Sequence, residues 1–173
     1  MAYRYRRTRM TPRERQATAA VAAGVVLAAL VSGHASAHGA TRASGHPDRA
    51  ARAAIAYARA QIGCVYVYGA TGPCSAGYDC SGLVMRAYHL PWSLRTSEEQ
   101  WAGLPHVAAS QRKAGDIVFA PGSPIDPPPG HVGVMDGRNS VIEAPQTGEL
   151  VKQVSLSNFA ANAGGITGFA EVG

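Results

Sequence analysis

The sequence predicts an α+β domain, with its helices gathered in the first half and its strands in the second. Two observations carry this. Apolar residues between Asp48 and His89 recur at helical spacing, and after Asp116 the chain breaks into short Val-, Ile- and Phe-rich runs bounded by Gly, Pro or Asn. At 173 residues, of which 16% are charged, the chain has room for one domain and an appendage. A domain of that size buries a stable core.

The appendage comes first. Arg4, Arg6, Arg7, Arg9, Arg13 and Arg15 stand against Glu14 alone, followed by an uncharged apolar run from Ala17 to Val31 and the small-residue pattern Ala35-Ser36-Ala37. This is the order of a secretory signal peptide over residues 1–37. A run of about 15 residues falls short of the roughly 20 that a spanning helix needs. Cleavage after Ala37, with no stable membrane insertion afterwards, is therefore expected over an uncleaved anchor, placing the product in the secreted, cell-wall or periplasm-equivalent space. The formal charge of +5 and the pI near 9.4 belong to this leader, because the remaining chain balances its Lys and Arg with Asp and Glu. A neutral body has no footprint for a phosphate backbone, so no nucleic-acid partner is expected.

Residues 38–47 lack an apolar period and read as a linker, which leaves 48–173 as the domain. Asp48 can cap a helix whose buried face is Ala51, Ala54, Ile55, Ala58 and Ile62, with Gly63 ending it. Val65 to Tyr68 reads as a short extended piece and Gly69 to Tyr78 as a glycine-rich loop. A second helix should start at Asp79 or Cys80 and run to about His89, before Pro91. Five strands are expected at Asp116 to Ala120, His131 to Asp136, Ser140 to Ala144, Leu150 to Leu156 and Ile166 to Val172, with a Pro-rich loop from Pro121 to Gly130. At least one of Trp92 and Trp101 is expected in the core.

Three cysteines in an exported chain do not all pair. Cys64 and Cys74 flank the glycine-rich loop and could close a short ring, leaving Cys80 free; the alternative is three reduced, buried thiols. The position of Cys80 favours chemistry, because unpaired N–H groups and the dipole at a helix N-terminus stabilise a thiolate. No histidine pair or second Cys-x-x-Cys accompanies these residues, so no metal is expected.

A thiolate nucleophile needs a base and a group to orient that base. His89 and His106 lie at a helix end and in a loop and read as solvated or structural. His131 instead opens a strand and can be aimed from a rigid element. If Asp136-Gly137-Arg138-Asn139 closes a hairpin, His131 falls opposite or next to Glu143, provided the register does not slip by one residue.

Six motifs in order, Tyr66-Val67-Tyr68-Gly69, Asp79-Cys80-Ser81-Gly82-Leu83-Val84, Arg95-Thr96-Ser97 with Gln100, Gly115-Asp116-Ile117-Val118-Phe119, Gly130-His131-Val132-Gly133-Val134 and Ile142-Glu143-Ala144-Pro145, resemble those of the NlpC-type cell-wall peptidases. These belong to the papain-like cysteine peptidases, and the similarity covers about residues 50 to 172. The resemblance implies a papain-like fold, a helical lobe packed on a five- or six-stranded antiparallel sheet or open barrel. It also implies hydrolysis of peptidoglycan stem peptides, typically between D-glutamate and a diamino acid. Carried over, Cys80 is the nucleophile, His131 the base and Glu143 the third member, while Tyr66, Asp79 and Ser81 match substrate-binding positions. The third position is more often His, Val65 and Leu94 replace common prolines, and Ala70 replaces a glycine. A monomer acting without a cofactor is expected. An amidase, a transpeptidase or a wall-binding scaffold without turnover could use the same domain.

Overall fold

The computed structural model describes residues 48–122 and 128–172. The expected signal peptide and linker lie outside the described residues, as does the middle of the Pro-rich loop. The described chain forms four α-helices and one six-stranded antiparallel sheet that does not close into a barrel. Among the described residues no helix is long and apolar enough to cross a membrane.

Helix α1 (Arg49–Ala60) starts where Asp48 accepts the Ala51 N–H at 2.8 Å, and it buries Ala51, Ala54, Ile55 and Ala58. It ends earlier than its apolar spacing suggests, and Ile62 is exposed. The Cys64–Cys74 disulfide closes the glycine-rich loop, as one of the two readings of the cysteines expected. Helix α2 (Cys80–Tyr88) follows and ends at His89, whose φ of 54° is left-handed. After a 3₁₀ turn at Trp92–Leu94, helix α3 (Ser97–Gly103) is fixed by a capping box between Thr96 and Glu99.

The strands are β1 (His106–Val107), β2 (Ile117–Ala120), β3 (His131–Gly137), β4 (Ser140–Glu143), β5 (Lys152–Ser155) and β6 (Gly168–Ala170), in the order β1-β6-β2-β3-β4-β5. Helix α4 (Leu156–Asn162) sits between β5 and β6. The expected strand from Leu150 to Leu156 is therefore shorter, because Ser155 accepts the Asn158 N–H and turns the chain into α4. Helix α3 and the two-residue β1 were likewise not expected, and His106 stands in β1 rather than in a loop.

Both faces of the sheet are covered. Ile117, Phe119, Val132, Val134 and Ile142 pack against Leu83, Val84, Ala54 and Ala58 of the helical lobe. Val118, Ala120, Met135 and Val141 pack on the other side against Phe159 of α4, Val107 and Phe169. This is why β2 and β3 are continuous apolar runs: a strand buried on both faces has no polar side to show. Trp101 packs against the first cluster, 5.1 Å from Phe119 edge to face, whereas Trp92 is largely exposed.

The packing of α2 against the loop before it admits only glycine at position 82. A Cβ there would lie 2.2 Å from the Ala70 carbonyl oxygen, which also accepts the Asp79 N–H at 3.0 Å. Gly82→Ala should therefore cost about 1–3 kcal/mol through overpacking, read as a lower urea midpoint. An unchanged midpoint would mean that the loop yields freely.

Candidate active site

Asp79 places Cys80. As the N-cap of α2 its Oδ1 accepts the Gly82 N–H at 2.7 Å, while Oδ2 accepts the Gly69 N–H at 2.9 Å. The Arg95 guanidinium grips both oxygens, Nη1 to Oδ1 at 3.1 Å and Nη2 to Oδ2 at 2.6 Å, and Nη1 also donates to Ser81 Oγ at 3.0 Å. Gln100, fully buried on α3, donates from Nε2 to the Ser81 and Leu94 carbonyls. Loop, helix start and the following turn are thereby tied to one carboxylate. Cys80, the first residue of α2, is a free thiol at the positive end of the helix dipole.

His131 comes from the first position of β3 and is buried. Its Nε2 donates to Glu143 Oε2 at 2.7 Å, and the Cys80 side chain also interacts with the ring. Val134 pairs with Ile142, so Glu143 stands across from Gly133 and His131 lies two residues further along the same face. The contact is diagonal rather than directly opposite. Between them Gly133 carries no side chain, and a Cβ there would lie 2.5 Å from Val141 Cγ1. Phe159 of α4 stacks on the imidazole at 5.0 Å between ring centroids.

Burial of the ring works against its protonation. Hydrogen bonds to Cys80 and Glu143, and the negative charge of those groups, outweigh it, and the His131 pKa is pushed up to about 9. The favoured state is thus an imidazolium between a carboxylate and a sulfur. Glu143 is itself buried, with Oε1 having no hydrogen-bond partner among the described residues. Its charge is answered chiefly by the ring.

Cys80 lies where two halves of a cleft meet. The larger, about 590 Å³, is lined by His131, Glu143, Gln146, Glu149, Lys152 and Asn162 among others. The smaller, about 300 Å³, is lined by Asp79, Ser81, Trp92, Arg95 and neighbours. Tyr66, Tyr68, Cys80 and Gly130 border both. The six site residues expected from sequence are therefore gathered in one cleft. Arg95 and Phe159 were missed. Arg95 stood in a quoted motif but its partner is 16 residues away, and Phe159 sits in the unexpected α4, whose signal is the Ser155 cap with Leu156, Phe159 and Ala163 at helical spacing. Among the described residues no group of three or more His, Cys, Asp or Glu is placed to hold a metal ion.

A thiol at a helix start, faced by a strand histidine with a polar third member, within helices packed on an antiparallel sheet, defines the class of papain-like cysteine peptidases. Within that class the chain belongs to the NlpC/P60 family, whose model matches residues 63–163. It is similar to a probable endopeptidase of Corynebacterium glutamicum, 39% identical over 111 residues, covering 61% of this chain and 48% of that protein. A gamma-DL-glutamyl hydrolase of Bacillus subtilis is 37% identical over 84 residues, covering 47% of this chain and 20% of that one. The chain thus spans about half or less of these relatives' length. The solved NlpC/p60 domain of the peptidoglycan hydrolase SagA is 32% identical with a TM-score of 0.55, and the match covers 70% of this chain and 98% of that domain.

Removing the Glu143 charge should lower the His131 pKa below its present value of about 9, read by NMR titration of the imidazole in Glu143→Gln. The folded pKa is raised, so the stability it contributes is full below the unfolded value of about 6.5 and is lost as pH rises through about 9. The variant should therefore lose less stability over that window. An unaltered titration would leave Cys80 as the sole source of the shift.

Proposed function

We propose that the chain is an exported cysteine peptidase that hydrolyses amide bonds in peptidoglycan stem peptides, between D-glutamate and a diamino acid. The observation that carries this reading is the line from Cys80, at the junction of the two cleft halves, to His131 and Glu143 in the larger half. The names of the relatives, an endopeptidase and a gamma-DL-glutamyl hydrolase, support the substrate class and the glutamyl bond.

In this mechanism the Cys80 thiolate attacks the scissile carbonyl carbon, and amides in the first turn of α2 donate to the oxyanion. The His131 imidazolium gives its proton to the departing amine. His131, now neutral, takes a proton from water, whose oxygen attacks the thioester and frees the acid. Because the leaving amine must meet His131, the larger half of the cleft takes the diamino-acid side. The smaller half then takes the acyl side, beside Tyr66, Asp79 and Ser81. Asp79 has both oxygens engaged by Arg95 and backbone amides, so it offers substrate a held carboxylate rather than a mobile one.

The test is digestion of purified muropeptides by the full chain and by Cys80→Ala, with products read by mass spectrometry. Stem-peptide fragments should form only with the unmodified chain, at a rate at least about 10³-fold above the variant. Release of intact stem peptides would point to an amidase, and no cleavage by either protein would leave wall binding without turnover.

A further inference from the structure

The leaving side of the cleft carries two opposite charges that catalysis does not use. Lys152 is the β5 partner of Glu143, so its backbone is set by the same register that holds the catalytic carboxylate. Its Nζ nevertheless turns to Glu149 Oε2. Glu149 is held from the other side by Gln146 Nε2, at 2.9 Å from Oε1. The segment bearing Glu149 is not a loose loop. Its carbonyl accepts the Tyr66 N–H at 2.9 Å, and Val151 exchanges bonds with Cys64 and Gly63. Both charges therefore stand on backbone stitched to the β-sheet and to the disulfide-closed segment.

The pair adds little to folding. About a third of each side chain is exposed, and ion pairs of that exposure are worth little. Both side chains line the half of the cleft that holds His131. A ligand carrying an ammonium and a carboxylate on one carbon could replace each partner for the other, its ammonium on Glu149 and its carboxylate on Lys152.

Resting on the endopeptidase reading above, we infer that Glu149 and Lys152 select a leaving diamino acid whose distal end is zwitterionic, as in diaminopimelate, over one with a distal ammonium alone, as in lysine. Glu149 reads the ammonium and Lys152 the carboxylate. Both are specificity residues and neither touches the reacting atoms.

The experiment uses the full chain and four synthetic peptides L-Ala-γ-D-Glu-X, with the main-chain carboxyl of X amidated throughout. X is diaminopimelate, diaminopimelate with its distal carboxyl amidated, lysine, or norleucine, which lacks the ammonium. The unmodified chain should prefer free diaminopimelate over both its distal amide and lysine by about tenfold in kcat/KM, the worth of one charge-assisted hydrogen bond. Lys152→Met should bring those ratios to about one. Glu149→Gln should collapse the lysine-to-norleucine ratio in the same way. Ratios within one protein are indifferent to the fraction folded. Ratios that survive both substitutions overturn the assignment while leaving the endopeptidase intact, and failure of the unmodified chain to cut any of the four peptides overturns both readings.

Discussion

The Asp79 carboxylate is the point on which the site depends. It closes the N-terminus of α2, takes an amide from the glycine loop and receives both arms of Arg95. A nearly buried carboxylate is costly unless it is paired and hydrogen-bonded, and here the glycine loop, the first turn of α2 and Arg95 each supply a donor. The thiol is consequently held by a network rather than by its helix alone. Gly82 belongs to the same logic, since the loop carbonyl that anchors Asp79 occupies the space where a side chain would stand.

The second half of the site is built by a different principle. His131 and Glu143 meet through strand register, with apolar groups packed against them on the sheet: Phe159 on the ring, Val141 beside Gly133. Both side chains are nearly buried, which makes the ion pair between them count for more than it would in water. A hydrogen-bonded network thus fixes the sulfur, and strand register fixes its partner.

Much of this was legible in the sequence. The helix at Cys80 announced itself through Asp79 and the apolar spacing after it, and β2, β3 and β4 through short runs rich in Val, Ile and Phe. What escaped were short elements whose signal is a cap rather than a period. Thr96 with Glu99 and Ser155 before Leu156 each start a seven-residue helix, too brief for a face to repeat. Arg95 escaped because a pair across 16 residues depends on how the chain returns on itself. The meeting of His131 with Glu143 was conditional on register, which sequence leaves open by one residue.

That register is decided by a bulge. Met135 pairs with Val141 but Gly137 with Ser140, so one extra residue, Asp136, is taken up in β3 just before the hairpin turn. Its side chain is almost wholly buried, paired with Arg59 of α1 and hydrogen-bonded by Gln153 of β5 at 2.7 Å. Were the bulge ironed out, Glu143 would fall across from Val134 and share its face, toward the helices and away from His131. A surface arginine on a helix that borders neither half of the cleft therefore helps to keep His131 and Glu143 on one face of the sheet. Insertions or deletions in this hairpin are tolerable to the site only where the bulge or the turn absorbs them, so that Val134 keeps its place across from Ile142.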